Sequence, residues 1–303
     1  MKLDGKTVLI IGLKRTGVSV ARFIAQRGGR VRITDRQAAE QLTNELAAIA
    51  DIAAEVRVGA EDMSLLDGID LVVPSPGVPC TAPLLVAAQQ RRIPVWSEIE
   101  LAFRFLRAPV LAVTGTNGKS TTTTLLGELL REHGQRVFVG GNLGTPLLDA
   151  VSEDAAAVIA EVSSFQLEWV EQFRPRIGLW LNLTEDHLDR HETLDAYGAA
   201  KRAMFVRQAP TDWMIVNRHD PAVQRFTHGL PGRLFSFGWE PVPDGVWIEG
   251  EKKALIVNIA GQETRISLAG LRLYGRHNLE NVCLLYTSPS PRDRTRSRMP
   301  SSA

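Results

Sequence analysis

The sequence predicts an α/β protein in two parts: a doubly wound, parallel-stranded domain at the N-terminus and a larger α/β domain after it. Three observations carry that expectation. Apolar runs that read as buried strands alternate with helical stretches along both parts, and a glycine-bearing turn follows the first strand of each. The third is length, because 303 residues exceed the ~150 that one domain usually holds. Strands covered on both faces by crossover helices read as continuous apolar runs, and such sheets bind ligands at the carboxyl ends of their strands.

In the first part, residues 7–12 (TVLIIG) form such a run, 17–27 a helical stretch and 31–35 (VRITD) a second strand. Residues 69–73 (IDLVV) end at Pro74-Ser75-Pro76-Gly77, and 93–96 read as one more short strand. A boundary is expected near 97–106. The second series has strand-like runs at 110–114, 137–139, 156–161, 177–183 and 213–217. Residues 234–273 differ: short alternating runs such as VWIEG and ALIVNI, broken by glycine, read as antiparallel strands. The expected organisation is therefore 1–97, 98–283 and a tail, 284–303.

Composition narrows the function classes. Apolar content of 44% fits a globular protein, and no stretch approaches the roughly 18 uninterrupted apolar residues of a membrane helix. The opening MKLDGKTVLIIG passes straight into a strand without a signal-peptide pattern, so a cytoplasmic location without membrane insertion is expected. Cys80 and Cys283 are far apart and match no metal spacing, which leaves packing as their reading. Net charge is +1, but four arginines and one aspartate lie in the last twenty residues, and the remainder holds 31 basic against 33 acidic side chains. No basic face emerges, and nucleic acid is not an expected partner.

Two loops carry chemistry. Gly12-Leu13-Lys14-Arg15-Thr16-Gly17 stands where a dinucleotide fingerprint needs G-x-G-x-x-G, and Lys14 replaces the glycine that lets backbone approach a pyrophosphate. A dinucleotide is not expected, although a helix N-terminus can still hold a phosphate. Asp35 ends the second strand, where an acidic side chain accepts hydrogen bonds from a nucleotide's sugar or base. A plain structural turn is the alternative. The second loop lies in residues 110–124, VLAVTGTNGKSTTTT. A G-x-x-x-x-G-K-[ST] loop would place its first glycine at Val113, whereas Gly115 stands two residues closer. Strand, tight turn and helix nevertheless follow in the order a phosphate-binding loop requires. Lys119 supplies a charge to terminal phosphates, and the Ser120 hydroxyl can face Mg2+. A glycine-rich turn with a solvated lysine is the alternative here.

Residues 155–167, AAAVIAEVSSFQL, form a strand ending in Glu161, where a nucleotide-binding sheet offers a carboxylate to Mg2+ or its waters. Residues 177–192, IGLWLNLTEDHLDRHE, form another buried strand that emits Asn182, Glu185, Asp186, His187 and Asp189. His187 reads either as a structural histidine or as a ligand beside the triphosphate loop.

Taken together, GTNGKST, EVSSFQL, LNLTEDHLDRH, the AAK at 199–201 and GRHNLEN at 275–281 resemble the ATP-dependent Mur ligases, over about residues 5–283. The displaced glycine belongs to that family's own loop. The resemblance implies a Rossmann-like UDP-binding domain, then a P-loop-type ATPase domain incomplete at its end, with a third, C-terminal Rossmann-like domain missing. Phe165 favours the member that adds D-glutamate to UDP-N-acetylmuramoyl-L-alanine, since the member adding the third residue usually has histidine there. The implied reaction is ATP-dependent amide formation in peptidoglycan precursor synthesis: a carboxylate is phosphorylated, and the amine of D-glutamate displaces phosphate from the acyl phosphate. Another Mur or folylpolyglutamate-type ligase is the alternative, as is a fragment that binds without ligating.

The resemblance also implies roles. Gly115, Thr116, Asn117, Gly118, Lys119, Ser120 and Thr121 would hold ATP, with Asn278 and Asn281 at the adenine. Ser120 and Glu161 would serve one Mg2+ ion, and His187 and a carbamylated Lys201 a second. Arg15, Thr16, Asp35, Arg36, Gly77 and Asn142 would bind the UDP-sugar, and Ser163 and Gln166 the muramoyl-alanine arm. A monomer is expected. The tail LLYTSPSPRDRTRSRMPSSA turns abruptly to Ser, Pro and Arg, and resembles a translated sequencing-adapter read-through; a genuine basic tail is the alternative. On the first reading the C-terminal domain is absent, and the chain as it stands is expected to be catalytically silent, with an apolar face uncovered.

Overall fold

A computed structural model describes residues 2–52, 54–59, 61–249 and 254–268. Its first sheet holds β1 (Thr7–Ile11), β2 (Arg30–Asp35), β3 (Ala54–Val58) and β4 (Leu71–Pro74) in the order β3-β2-β1-β4, all parallel. β1 and β4 are buried at every position, as strands covered on both faces must be. The chain leaves β1 for β2 on one side and later returns to β4 on the other. The loops after β1 and β4 therefore diverge and open a cleft at the switch point. Helix Arg15–Ala25 covers this sheet through Val20, Ala21, Phe23 and Ile24, which recur at helical spacing.

The second sheet has nine strands: β5 (Val110–Thr114), β6 (Val137–Gly141), β7 (Ala157–Glu161), β8 (Ile177–Trp180), β9 (Trp213–Asn217), β10 (Arg233–Gly238), β11 (Gly245–Glu249), β12 (Ala254–Ile259) and β13 (Gln262–Ser267). Their order is β13-β12-β11-β10-β9-β8-β5-β7-β6. β5 lies between β7 and β8, so the loops after these three strands emerge side by side. This is the second switch point.

The expected α/β class holds, with three corrections of detail. Residues 93–96 form only an isolated bridge, Val72 to Val95, because Pro94 lacks the N–H that would extend a ladder. Of the expected antiparallel region 234–273, the described residues 234–249 and 254–268 are not uniformly antiparallel: β10 runs parallel to both β9 and β11, and β11 to β13 alternate in direction; the rest lies outside the described residues. The third is β3, which sequence reading did not anticipate; its AEVRV is exposed at three positions in a row.

Helix Glu98–Phe103 joins the two sheets. Ser97 caps it by accepting the Glu100 N–H, and five of its six residues are buried. Ile99, Leu101 and Ala102 lie in one core cluster with Val8 and Ile10 of the first sheet and Val110 and Ala112 of the second. Two buried carboxylates ride on the same helix. Glu100 accepts the backbone N–H groups of Glu171, Gln172 and Phe173 and pairs with Arg104. Glu98 accepts the Leu148 N–H at 2.6 Å, and burial, followed by the charge of Asp149, pushes its carboxyl up to about 7. Among the described residues no helix is long and apolar enough to cross a membrane.

Candidate active site

At the end of β5 the chain turns through Gly115 and Gly118 into helix Lys119–Glu132. Gly118 has φ +84°, a conformation that glycine adopts without steric cost, and it directs the first N–H groups of the helix into the turn. A Cβ on Gly115 would stand 3.0 Å from that of Leu181, so the loop lies tightly on the segment after β8. Asn182 holds it there. Its Oδ1 accepts both the Thr116 and Asn117 N–H groups, at 3.0 and 2.8 Å, and its Nδ2 donates to Asn117 O. Asn182 thus staples the loop. Ser120 and Thr121 lie exposed at the helix start.

Lys119 folds back so that Nζ donates to the carbonyls of Gly115 and Thr116, at 3.0 and 2.8 Å. Lys201, on helix Leu194–Val206, reaches the same Gly115 oxygen from the opposite side at 2.9 Å. Two ammonium groups therefore share one acceptor. Burial lowers the pKa of each; Glu161 and Asp186 oppose this at Lys119, whereas Lys119 itself adds to it at Lys201. Lys201 is 1% exposed and its amine falls to about 7. Its Nζ also lies 4.5 Å over the ring of Tyr197, one helical turn earlier.

Glu161 ends β7 beside this pair and is 2% exposed. Its Oε1 accepts from Asn142 Nδ2 at 2.8 Å; its Oε2 is buried with no hydrogen-bond partner among the described residues. An orphaned buried carboxylate oxygen is costly, and it suits a cation arriving with a ligand. The donor set therefore fits Mg2+ at Glu161 and the open hydroxyl of Ser120. No group of three His, Cys, Asp or Glu side chains is arranged to hold a metal among the described residues, so a second ion would need at least one further kind of donor beside His187.

His187 follows the buried strand β8 at φ +52°, a left-handed conformation uncommon for a non-glycine residue. Its ring lies 4.8 Å from Phe165 and 6.0 Å from Tyr197, and its Nε2 is 3.6 Å from Asp186. Glu185, Asp186 and Asp189 are exposed. Ser163 and Gln166 form a reciprocal capping box on helix Ser164–Leu167: Gln166 N–H donates to Ser163 Oγ, and Ser163 N–H to Gln166 Oε1. That S-x-x-Q spacing is legible in sequence as a helix cap.

The first-domain cleft has a volume of about 430 Å³ and is lined by Arg15, Thr16, Asp35, Arg36 and Gly77, among others. Gly12 has φ +95°, and a Cβ there would meet that of Ser75 at 2.9 Å, so the loops after β1 and β4 touch at the cleft floor. Asp35 Oδ2 accepts the Leu13 N–H at 2.7 Å and Oδ1 the Gln37 N–H at 2.8 Å, which makes its carboxylate the brace of both flanking turns. Arg36 pairs with Glu61, and Arg15 donates to the Gly144 carbonyl of the second domain. Asn278 and Asn281 lie outside the described residues. Sequence reading missed Tyr197, Glu168 and Arg190, whose positions depend on how three separate helices and their ends pack.

Residues 113–287 match the Mur ligase middle domain, and residues 6–97 match the Mur ligase MurD-like N-terminal domain. The chain is 45% identical over 288 residues to a UDP-N-acetylmuramoylalanine--D-glutamate ligase of Syntrophotalea carbinolica, covering 94% of this chain and 63% of that protein. A protein of the same name from Anaeromyxobacter dehalogenans is 45% identical over 291 residues, with coverages of 93% and 63%. The chain thus spans about 63% of the length of these curated relatives. Among solved structures, the UDP-N-acetylmuramate:L-alanyl-gamma-D-glutamyl-meso-diaminopimelate ligase from Neisseria meningitides shares the fold, with a TM-score of 0.59 at 20% identity over 93% of this chain and 92% of that one. With more than half of its residues matching the middle domain, and a second family domain before it, the chain belongs to the Mur ligase family.

Proposed function

We propose that this protein serves the ATP-dependent addition of D-glutamate to UDP-N-acetylmuramoyl-L-alanine. The observation that carries the proposal is the charge arrangement at the second switch point. Two lysines converge on the Gly115 carbonyl beside a buried carboxylate that has one unpartnered oxygen. Such a site suits a polyanion that arrives with cations. The relatives' name supplies the substrate class, and Phe165 the choice within the family.

A carboxylate is a poor electrophile. Attack of the alanine carboxylate on the γ-phosphorus of ATP releases ADP and leaves an acyl phosphate; the D-glutamate amine then adds to the acyl carbon, loses a proton and expels phosphate. Lys119 and the N–H groups at the helix start, from Gly118 to Thr121, hold the triphosphate on a loop that Gly115, Thr116 and Asn117 shape and Asn182 braces. Ser120 and Glu161 would hold one Mg2+, and His187 with a carbamylated Lys201 would hold a second. Mg2+ supplies charge neutralisation between the two approaching anions. Arg15, Thr16, Asp35, Arg36, Gly77 and Asn142 receive the UDP-sugar, Ser163 and Gln166 its alanine arm, and Asn278 and Asn281 the adenine. The UDP-binding domain is taken as 1–97 and the ATP domain as 98–283, acting as a cytoplasmic monomer.

An amine at about 7 supports the carbamylation, because only the neutral amine reacts with CO2, forming an N–C bond with release of one proton. 13C-bicarbonate NMR should show a carbamate signal that grows as pH rises through 7 and is lost in Lys201→Arg. A signal that survives in Lys201→Arg, or none at any pH, overturns the modification. The reaction is tested by D-glutamate-dependent phosphate release from ATP and UDP-N-acetylmuramoyl-L-alanine, with binding measured separately from turnover. Binding of neither nucleotide refutes the proposal.

A further inference from the structure

The short helix Leu188–His191 starts directly after His187 and carries Arg190. Arg190 grips Glu168 with two nitrogens, Nε on Oε1 at 3.1 Å and Nη2 on Oε2, and these side chains are only 10% and 12% exposed. The remaining nitrogen, Nη1, crosses to the first domain and donates to the Pro76 carbonyl at 3.3 Å. The guanidinium also lies 4.7 Å over the ring of Phe165, the ring against which His187 stands. One side chain, carried on the helix that starts after His187, therefore touches two other segments: the 75–79 loop that lines the first-domain cleft, and the helix that follows Glu161 with the residue after it. Only a planar fork of fixed donors can hold a carboxylate bidentately and keep a third direction for a carbonyl.

We infer that Arg190 is a positioning residue that couples occupancy of the first-domain cleft to the pose of His187. The inference rests on the functional reading above and adds a residue to it. A ligand seated against Pro76 and Gly77 acts on the loop whose carbonyl Arg190 holds. Because the other two donors are fixed on Glu168 and the guanidinium lies on Phe165, displacement of that loop bears on the helix after His187 and on the ring beside it. Neither Arg190 nor Glu168 contacts the phosphate loop among the described hydrogen bonds, so nucleotide affinity measured alone is independent of the pair.

The test uses imidazole 15N signals of the 303-residue chain, with those of His187 assigned by their loss in His187→Gln. The parent is titrated with UDP-N-acetylmuramoyl-L-alanine, with Mg2+ and a non-hydrolysable ATP analogue, and with both. The nucleotide-sugar should shift the His187 signals and tighten the ATP analogue about fivefold to tenfold. In Arg190→Lys, and independently in Glu168→Gln, the ATP analogue alone should bind within about twofold of the parent, while the shift disappears and the coupling factor falls to about one. Thermal melting checks that each variant is folded, and the two variants break the contact from opposite partners. Persistence of shift and coupling in folded variants overturns the inference, as does a parent that binds both ligands without coupling. A parent that binds no nucleotide-sugar overturns the functional reading itself.

Discussion

The clefts at the two switch points are made from the same parts, parallel strands ending in glycine turns, yet they differ in how their charges are satisfied. In the first, polar groups already have protein partners: Asp35 braces two turns, Arg36 pairs with Glu61, and Arg15 reaches the Gly144 carbonyl. In the second, one oxygen of Glu161 has no partner among the described residues, and Lys119 and Lys201 crowd a single carbonyl. A cleft whose charges are satisfied can select its ligand by shape and a few hydrogen bonds. One whose charges are not satisfied gains stability when a charged ligand arrives, and so binds the ligand that repairs it.

Four substitutions put that contrast to the test. Lys119→Ala should weaken an ATP analogue by roughly 100-fold while nucleotide-sugar binding holds and the melting temperature falls only slightly, because it removes a charged contact to phosphate and two hydrogen bonds to loop carbonyls but no core packing. Calorimetric titration of both ligands decides it, and an unchanged ATP affinity would falsify the phosphate-loop reading. Next in size is Glu98→Gln, which lies between the clefts and tests whether buried charge outside them matters. The folded-state pKa of Glu98 is raised to about 7, so its stabilising proton uptake is complete below the unfolded value and is lost as pH rises through 7. The glutamine variant should therefore be about 1–2 kcal/mol more stable than the parent at pH 8 and nearly equal to it at pH 4.5, by urea unfolding.

Asp35→Asn should cost about 1 kcal/mol of stability, since a neutral amide can replace only one of two backbone-accepting oxygens, and should weaken the nucleotide-sugar without affecting ATP. Equal loss of both ligands would show that the clefts are not separable. The smallest effect is expected from Glu161→Gln in the ligand-free protein, whose melting temperature should stay level or rise as a buried carboxylate oxygen without a hydrogen-bond partner is replaced, even as Mg2+-dependent ATP binding falls. A marked drop in melting temperature would mean that Glu161 is already satisfied without ligand.

Legibility followed the same division. β1, β5, β7 and β9 stand out in sequence because burial on both faces demands unbroken apolar residues, and Lys119 and Glu161 stand out because each directly follows such a strand or its turn. β3 was hidden because an edge strand with AEVRV exposes charged residues and breaks the pattern. The direction of β10 could not be read, since alternation records which faces are buried and says nothing of which neighbour pairs with which. Glu168 and Arg190 were invisible for a related reason, since their meaning lies in contacts between segments distant in sequence, and Tyr197 was invisible because a helical tyrosine shows nothing of the amine that folds over it. Ser163 and Gln166 were read only through the resemblance, as substrate contacts, and the structure shows them as a reciprocal helix cap.

Glu100 is fully enclosed, and three successive backbone N–H groups, from Glu171 to Phe173, converge on its carboxylate. Pulling that carboxylate out would strand three donors and a charge together, so the connecting helix moves as a piece of the larger domain. Bending between the two sheets would therefore have to fall on the few residues just before Ser97 and on the core that the helix shares with the first sheet. For protein engineering this divides the connection sharply: insertions or flexible residues near 95–97 would retune how far the first domain can swing, whereas the same changes a turn later would detach the helix from its own domain.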